Sequence, residues 1–384
     1  MNNEELALVQ CLKTLVHTPS PTGFTDNIVH SICGRLEDMG VAYELTRRGA
    51  IRATVRGKAS RPARAVVCHV DTLGAMVKEL KPNGRLRIVP IGHWSSRFAE
   101  NTRATVVTED GSSFRGTILP IKASGHTYGD EIDELPISWD TVEMRVDVPA
   151  ANADQLRGHG VDVGDFVMID PGFEVTAQGY IVSRHLDDKA GVAVLLTALQ
   201  RLVKHKEPLP TDCHILFTIS EEVGSGASAV LHGDISEMVT LDNSTVAAGQ
   251  NSNETGVTIA VMDSSGPFDY HLTKKLVELC RKERLNFSKD VFKYYRCDAA
   301  SALEAGNDLR TAVACFGLDA SHGVERTHLE SLRQLTELVV AYLKSEPLFA
   351  RDEQDLGPIE DFPGLPHIPA ADLVVDQPEG DGQA

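Results

Sequence analysis

The stretch RAVVCHV, residues 64–70, decides the fold. Between its first residue and His69 it is an unbroken run of apolar residues. Such a run is typical of a strand that is buried on both faces, which occurs where helices cover both sides of a sheet. We therefore predict an α/β fold, in which a mixed sheet is sandwiched by helices.

Helical and strand patterns continue on both sides of this strand. Apolar residues recur at helical spacing within 4–16 and 25–38, and again in the segment that begins at Asp187. Asp187 and Asp188 stand where the dipole of a helix favours acidic residues. The remaining patterns predict strands at 42–47, 50–56, 213–219, 238–241 and 311–318, and a last helix at about 328–344.

Residues from about 84 to 180 have a different pattern. Short β-branched segments alternate there with turns such as Glu109-Asp110-Gly111, and no long helical pattern is present. We predict a discontinuous catalytic domain at 1–84 and 179–346, with a small β-rich domain inserted at 85–178. Residues 347–384 are rich in Pro, Asp, Glu and Gly, so we expect a disordered acidic tail there.

The composition of the chain argues against several classes of function. Its formal net charge of −18 repels nucleic acid and anionic lipid, so we expect neither as a partner. Aromatic residues make up 5% of the chain, which disfavours a carbohydrate cleft. The seven cysteines form no CxxC pair, so we expect neither a disulfide framework nor a thiolate zinc site. The sequence shows neither a signal peptide nor a membrane-spanning run, and we expect a cytoplasmic protein.

Polar residues collect where the predicted strands end. In an open α/β sheet, sites form outside the carboxyl ends of the strands. Each residue alone is more often a helix cap or a structural histidine, but five segments together supply two histidines and several carboxylates. Such a set, without thiolates, suits Zn²⁺, Co²⁺ or Mn²⁺. The candidates are His69, Asp71, Asp187, Asp188, Glu221, Glu222, Asp242 and His322.

Two local patterns within this set have a chemistry of their own. Glu221 and Glu222 are adjacent carboxylates, which repel each other unless protons or cations intervene. One of them can bind a metal while the other takes a proton from the attacking water. The alternative is an exposed acidic pair at a helix start, which the glycines that follow disfavour. His69 and Asp71 share one face of a strand, so Asp71 could orient His69 as metal-binding imidazoles need.

Five motifs of the chain resemble one known family. They have the order and spacing of the M42 metallo-aminopeptidases, which include glutamyl aminopeptidases and tetrahedral, dodecameric peptidases. The resemblance covers about residues 5–345. Within the family, the chain is also similar to the member encoded beside synthesis of the osmoprotectant N-acetylglutaminylglutamine amide. The motifs are CHVDTLG (68–74), HLDDKAG (185–191), TISEEVGSGA (218–227), TLDNS (240–244) and DASHGVERTH (319–328).

The resemblance implies a fold of the di-zinc exopeptidase type and a role for each candidate. Two divalent metal ions per subunit, Zn²⁺, Co²⁺ or Mn²⁺, would be the cofactors. Glu221 would be the general base, and Asp71 would orient His69. The inserted domain at 85–178 would mediate assembly into a homo-oligomer, between a dimer and a dodecamer. The implied metal ligands are His69, Asp187 as the bridge between both ions, Glu222, Asp242 and His322.

The chain departs from the family pattern at two points. Lys189 follows the paired aspartates, where the family usually has arginine. His322 precedes Gly323-Val324-Glu325 instead of standing in a His-Ser-Pro-like context. His328 lies close by in the sequence and is the alternative for this ligand.

Together these inferences predict a two-metal aminopeptidase that removes N-terminal residues from short peptides. A deacylase or a dipeptidase on the same scaffold is the nearest alternative, and action on the capped osmoprotectant dipeptide is another. A glycosidase is disfavoured by the low aromatic content and by the histidines. A non-catalytic assembly protein is disfavoured because no expected ligand is missing.

Overall fold

The computed structural model describes residues 1–353 and 356–365. The helices are α1 (Asn3–His17), α2 (Asp26–Asp38), α3 (Gly125–Tyr128), α4 (Ala153–Gly158), α5 (Leu186–His205), α6 (Tyr270–Lys282), α7 (Asp298–Glu304) and α8 (Leu329–Lys344). The strands are β1 (Tyr43–Leu45), β2 (Ile51–Val55), β3 (Ala59–His69), β4 (Gly74–Leu80), β5 (Leu86–Ile91), β6 (Arg103–Val107), β7 (Ser113–Pro120), β8 (Val142–Val146), β9 (Phe166–Ile169), β10 (Glu174–Val175), β11 (Tyr180–Ser183), β12 (Thr211–Thr218), β13 (Ile235–Thr245), β14 (Val257–Asp263), β15 (Gly266–Pro267), β16 (Phe287–Val291), β17 (Arg310–Leu318) and β18 (Glu325–His328).

Within the described residues, nine strands form one mixed sheet in the order β1-β2-β12-β3-β13-β17-β14-β15, with β16 paired to β14. The central strands β12, β3, β13 and β17 run parallel to one another, and antiparallel pairs lie on both sides of them. All residues of β12 and residues 62–69 of β3 are buried, so both faces of the sheet are covered. This confirms the predicted α/β class and the buried strand at 64–70.

Helix α5 supports the edge of the sheet at which the predicted site lies. Every residue from Leu186 to Leu199 is buried. The helix packs against β3 and β13, and α1 and α8 pack against it in turn. The apolar residues at helical spacing therefore fix the helix whose first turn carries Asp187 and Asp188.

The β-rich region forms a closed antiparallel barrel with the strand order β4-β5-β8-β7-β6-β9. Its hydrophobic core, which includes Ile88, Val106 and Met144, shares no residue with the core of the sheet. The barrel begins at Gly74, whereas the sequence analysis placed the start of the insertion at residue 85. β4 comes directly after the buried strand β3, so its apolar residues were assigned to the catalytic domain.

Part of the large sheet was not predicted from the sequence. β14, α6 and β16 occupy residues 257–291, for which we predicted no element. β13 continues to Thr245, so Asp242 lies within this strand and not after it. The reason is that β13 carries polar residues into the buried edge of the sheet, and polar residues in a sequence indicate the end of an apolar strand.

The residues after Leu348 form a second compact unit. In this unit, Ala350–Glu353 forms a 3-10 turn. The disorder predicted for 347–384 falls mainly on residues 354–355 and 366–384, which lie outside the described residues. In the described part of the chain, no helix combines the length and apolar character needed to cross a membrane.

Candidate metal centre

The predicted site residues meet at the carboxyl edge of the four parallel strands. This edge is where an open α/β sheet forms its binding sites, because loops and helix starts converge there. The site residues come from five separate segments. They are His69 at the end of β3, Glu221 and Glu222 after β12, Asp242 within β13, His322 after β17, and Asp187 in the first turn of α5.

The first group of potential metal ligands consists of His69, Asp187 and Asp242. Each offers one ligand atom, and these atoms lie within 4.8 Å of one another. The Nε2 atom of His69 is 3.1 Å from Oδ1 of Asp187 and 4.0 Å from Oε2 of Glu221. All three members are buried. An imidazole and two carboxylates at this spacing fit one divalent cation.

The second group consists of Asp187, Glu222 and His322, with the same spacing limit of 4.8 Å. The Nε2 atom of His322 is 3.4 Å from Oδ2 of Asp187 and 3.8 Å from Oε2 of Glu222. Asp187 thus faces His69 with one oxygen and His322 with the other. One shared carboxylate between two such groups is the arrangement of a two-metal site.

The contacts of Asp71 are broader than the sequence analysis expected. Nδ1 of His69 donates to the backbone carbonyl of Asp71 at 3.0 Å, while the nearer carboxylate oxygen lies at 3.5 Å. The carboxylate accepts hydrogen bonds from the backbone N–H groups of Glu221, at 3.0 Å, and Glu222, at 3.3 Å. It also accepts one from the hydroxyl of Thr22 at 2.6 Å. Asp71 therefore fixes the start of the loop that carries both glutamates.

The site holds more negative charge than its surroundings balance. Burial, together with the charge of Asp187, raises the pKa of Glu222 to about 8 and that of Asp242 to about 7. Burial on its own would lower the pKa of His322, but its hydrogen bond with Asp187 and the charge of Glu222 raise it to about 10. Among the described residues, no Lys or Arg forms an ion pair with Asp187, Asp242, Glu221 or Glu222. Protons or cations must therefore neutralise this cluster.

His328, the alternative for the last ligand, lies outside both groups. Its Nε2 donates to the carbonyl of Gln178 at 2.8 Å, and its Nδ1 accepts from the N–H of Glu330 at 3.0 Å. Its ring packs edge-on against Tyr180, with 4.9 Å between ring centroids. Both nitrogens of His328 are therefore used in capping α8 and bonding to a loop, whereas His322 lies at the site.

Two residues that support the site were not recognised in the sequence. The buried carboxylate of Glu325 accepts hydrogen bonds from the backbone N–H groups of Leu186 (2.7 Å), Asp187 (3.2 Å) and His322 (2.9 Å). The side-chain amide of Asn243 donates to Oδ2 of Asp187 at 2.8 Å. Glu325 stands in the motif at 319–328, and this position was the available signal. Through these hydrogen bonds, Glu325 joins the backbones of two ligand-bearing segments.

A cavity of about 640 Å³ opens beside the two groups. Its lining includes the site carboxylates and His322, together with Thr245, Ala247, Phe292 and Tyr294. The side chain of Tyr294 is 86% exposed. The volume lies in the range of pockets that enclose small molecules, so a small molecule can enter next to the ligand groups.

Comparisons with known proteins identify the family of the chain. The family model described as M42 glutamyl aminopeptidase matches residues 49–338. YhfE of Bacillus subtilis, whose name provisionally assigns it to the aminopeptidases, is 37% identical over 88% of this chain and 97% of its own.

Solved structures share the fold. The TET aminopeptidase of Thaumarchaeota archaeon SCGC AB-539-E09 superimposes with a TM-score of 0.79, at 20% identity, over 88% of this chain and 96% of its own. The TET1 peptidase of Pyrococcus horikoshii gives 0.77, at 23% identity, over 88% of this chain and 99% of its own. Because the family model spans more than half of the chain, this protein belongs to the M42 family and is an aminopeptidase.

Proposed function

We propose that the protein is a two-metal aminopeptidase that removes N-terminal residues from short peptides. The observation that carries the proposal is the pair of ligand groups that share Asp187. Donor chemistry fits divalent cations, because the cluster contains imidazole and carboxylate, and among the described residues no Lys or Arg forms an ion pair with its carboxylates. His69, Asp187 and Asp242 would hold one ion, and Asp187, Glu222 and His322 the other. When bound, the two ions supply Lewis acidity for the attack of water on a carbonyl group.

Glu221 is the residue that we propose as the general base. Its carboxylate lies 4.0 Å from Nε2 of His69 in the first group but belongs to neither group, and its side chain is 13% exposed at the cavity. A carboxylate in that place can take a proton from the attacking water and deliver it to the leaving amine. Asp71 holds the backbone of Glu221 and so positions this base. Burial raises the pKa of Glu221 well above its ordinary value, although the charge of His69 opposes the rise.

The substrate that we propose has a free N-terminal amine. A neutral amine is a good ligand for a borderline divalent ion, whereas the nitrogen of an acetylated N-terminus is an amide and a far weaker one. The alternatives are a deacylase, a dipeptidase, or a specialised member that acts on the capped dipeptide of the osmoprotectant system. The native metal, among Zn²⁺, Co²⁺ and Mn²⁺, and the cytoplasmic location also remain proposals.

One experiment separates these substrates. Glutaminylglutamine amide and its N-acetyl form are incubated with metal-loaded protein, and release of glutamine is followed by mass spectrometry. We expect the free-amine compound to be cleaved faster, and the Glu221→Gln variant to release glutamine from neither at a comparable rate. Faster release from the acetylated compound would overturn the aminopeptidase specificity and leave the metal site intact.

We also propose that the protein assembles into a homo-oligomer through the β-rich region of 85–178. The similar TET1 peptidase is described as forming a tetrahedron or a large octahedral shell. The exposed side chains of Ile121, Tyr128 and Ile137 lie in the connection between β7 and β8, and exposed apolar groups of this kind are common at interfaces. Their burial against a second copy would stabilise the assembly.

A further inference from the structure

The second ligand group depends on a contact from the barrel. Nδ1 of His322 forms a 2.9 Å hydrogen bond with the backbone carbonyl of His93, which lies in the connection between β5 and β6. Since a carbonyl only accepts hydrogen bonds, Nδ1 must carry the hydrogen. In neutral His322, the lone pair of Nε2 then faces Asp187 and Glu222. A contact from outside the sheet thus sets the tautomer and the direction of a proposed ligand.

The turn that presents this carbonyl is packed closely against the site. Gly92 has φ +81°, a left-handed conformation that side chains disfavour. A Cβ atom there would lie 2.5 Å from Cδ2 of Leu73 and 3.5 Å from Cβ of Glu222. The turn therefore favours glycine for its backbone angle and for its close approach to the side chain of Leu73, and it lies at van der Waals distance from the ligand-bearing loop at Glu222.

On the other side of the carbonyl, two tryptophans hold the turn. Trp94 is 8% exposed, and its Nε1 donates to the carbonyl of Gly74 at 3.1 Å. Nε1 of Trp139 donates to the carbonyl of Trp94 at 3.2 Å. The two rings meet edge to face, with centroids 4.8 Å apart. These are the only tryptophans in the sequence, and both form hydrogen bonds that hold this turn.

We propose that the Trp94–Trp139 pair is a positioning element for the second metal ion. The pair fixes the His93 carbonyl, the carbonyl orients His322, and His322 then offers Nε2 to the ion. The first ion needs no such support, because His69 bonds to the backbone of its own segment. The inference rests on the proposed two-metal function. It gives the barrel a part in building the active site, separate from its proposed part in assembly.

The test measures metal binding and not turnover. Chelated protein is titrated with Co²⁺ alone, and binding is followed by calorimetry, by visible absorption of the bound ion and by tryptophan fluorescence. In the wild type we expect two binding steps, of which the second changes the tryptophan emission. Trp139→Ala should weaken the second step by up to about 10-fold, the lower end of the range for losing a direct partner of a ligand, because Trp139 acts on His322 only through the segment of Trp94 and His93; the first step should be unchanged.

Two further variants separate positioning from mere stability. Trp139→Phe keeps an aromatic ring but loses the N–H donor. Its affinity for the second ion should therefore lie between that of the wild type and that of Trp139→Ala. Leu156→Ala removes buried packing from the barrel core without removing a hydrogen bond to either tryptophan. It should lower the unfolding temperature but leave both binding steps unchanged.

Three results would overturn the inference. If Trp139→Ala bound the second ion with the same affinity as the wild type, the tryptophan pair would not position His322. If Leu156→Ala lost as much affinity for the second ion as Trp139→Ala does, only the stability of the barrel would matter. If the wild-type chain bound fewer than two ions, the two-metal function itself would be overturned. The titration of the wild type alone shows this, so it is distinguished from a failure of the inference about the tryptophan pair.

Discussion

The two halves of the metal centre hold their histidines in different ways. His69 ends a central strand, its side chain is 2% exposed, and its Nδ1 bonds to the backbone carbonyl of Asp71. His322 lies in a loop with φ +68°, its side chain is 31% exposed, and its Nδ1 bonds to a carbonyl of the barrel. The histidine of the first half is thus held by its own segment at the end of the sheet, whereas the histidine of the second half is held by a contact from the barrel. A two-metal site therefore need not be equally rigid on both sides, and we expect the first ion to bind more tightly.

The largest effect should follow from removing what both halves share. Asp187→Ala removes the carboxylate that faces both histidines. The binding of both ions should therefore be weakened, and activity should be abolished. Metal content after dialysis, measured by mass spectrometry of the ions, checks this. A variant that kept one ion at full occupancy would show that Asp187 belongs to only one half.

The next effect separates the base from a ligand. Glu221→Gln should retain both ions and lose about 10²–10⁴-fold in turnover, because it removes the proposed general base. Glu222→Gln should lose the second ion as well as activity, because Glu222 belongs to the second group. Metal content and kcat are measured on the two neighbouring variants side by side. If both behaved alike, the division of roles between the adjacent glutamates would be wrong.

A smaller and more selective effect tests the comparison itself. His322→Ala should weaken binding of the second ion and destabilise the metal-free protein less than His69→Ala does, because the side chain of His322 is 31% exposed and that of His69 is 2% exposed. His69→Ala should weaken the first ion and also destabilise the metal-free protein by about 1–3 kcal/mol, since it removes a buried hydrogen-bond partner.

The matched control for the last ligand is His328→Ala. It removes a histidine from the same motif but outside both groups, so it should leave metal content unchanged. Denaturant unfolding and metal analysis of the three variants check these expectations. Loss of metal in His328→Ala, with full metal in His322→Ala, would reverse the proposed assignment.

The sequence predicts the ligand positions because each follows or ends an apolar segment. His69 closes the run at 64–70, and Glu221 and Glu222 follow the apolar β12, so topology alone brings them to one edge. The sequence predicts Asp242 as a ligand although β13 continues beyond it. A position near the end of the strand is enough to bring the side chain to the same edge of the sheet. The α/β class follows from the same runs of buried residues.

The supporting contacts could not be predicted in the same way. The carbonyl of His93 is a backbone group, which any residue at that position would offer, so no side chain marks it. Glu325 acts through the backbones of Leu186 and Asp187, which are remote in sequence. The start of the barrel at Gly74 was also missed, because the apolar residues of β4 and those of β3 give the same pattern.

The smallest effect concerns the acidic end of the chain. Deleting residues 350–384 should leave the metal content, the activity and the oligomeric state unchanged, because none of the residues that the structure describes in this segment belongs to either ligand group or lines the cavity beside them. Sedimentation of the full and shortened chains at micromolar concentration checks this. A stable monomer in the full-length chain would contradict the proposed assembly, and a monomer only after deletion would show that the tail takes part in it.

The separate hydrophobic cores of the sheet and the barrel have a consequence for how such a protein can change during evolution. Because no residue belongs to both cores, substitutions can accumulate inside the barrel without repacking the sheet. The turn around Gly92 limits this freedom, because it lies against Leu73 and Glu222. A barrel exchanged between distant homologues would therefore keep its own core and still fail to support the metal centre, unless this turn and its glycine were transferred together with the loop that the turn contacts.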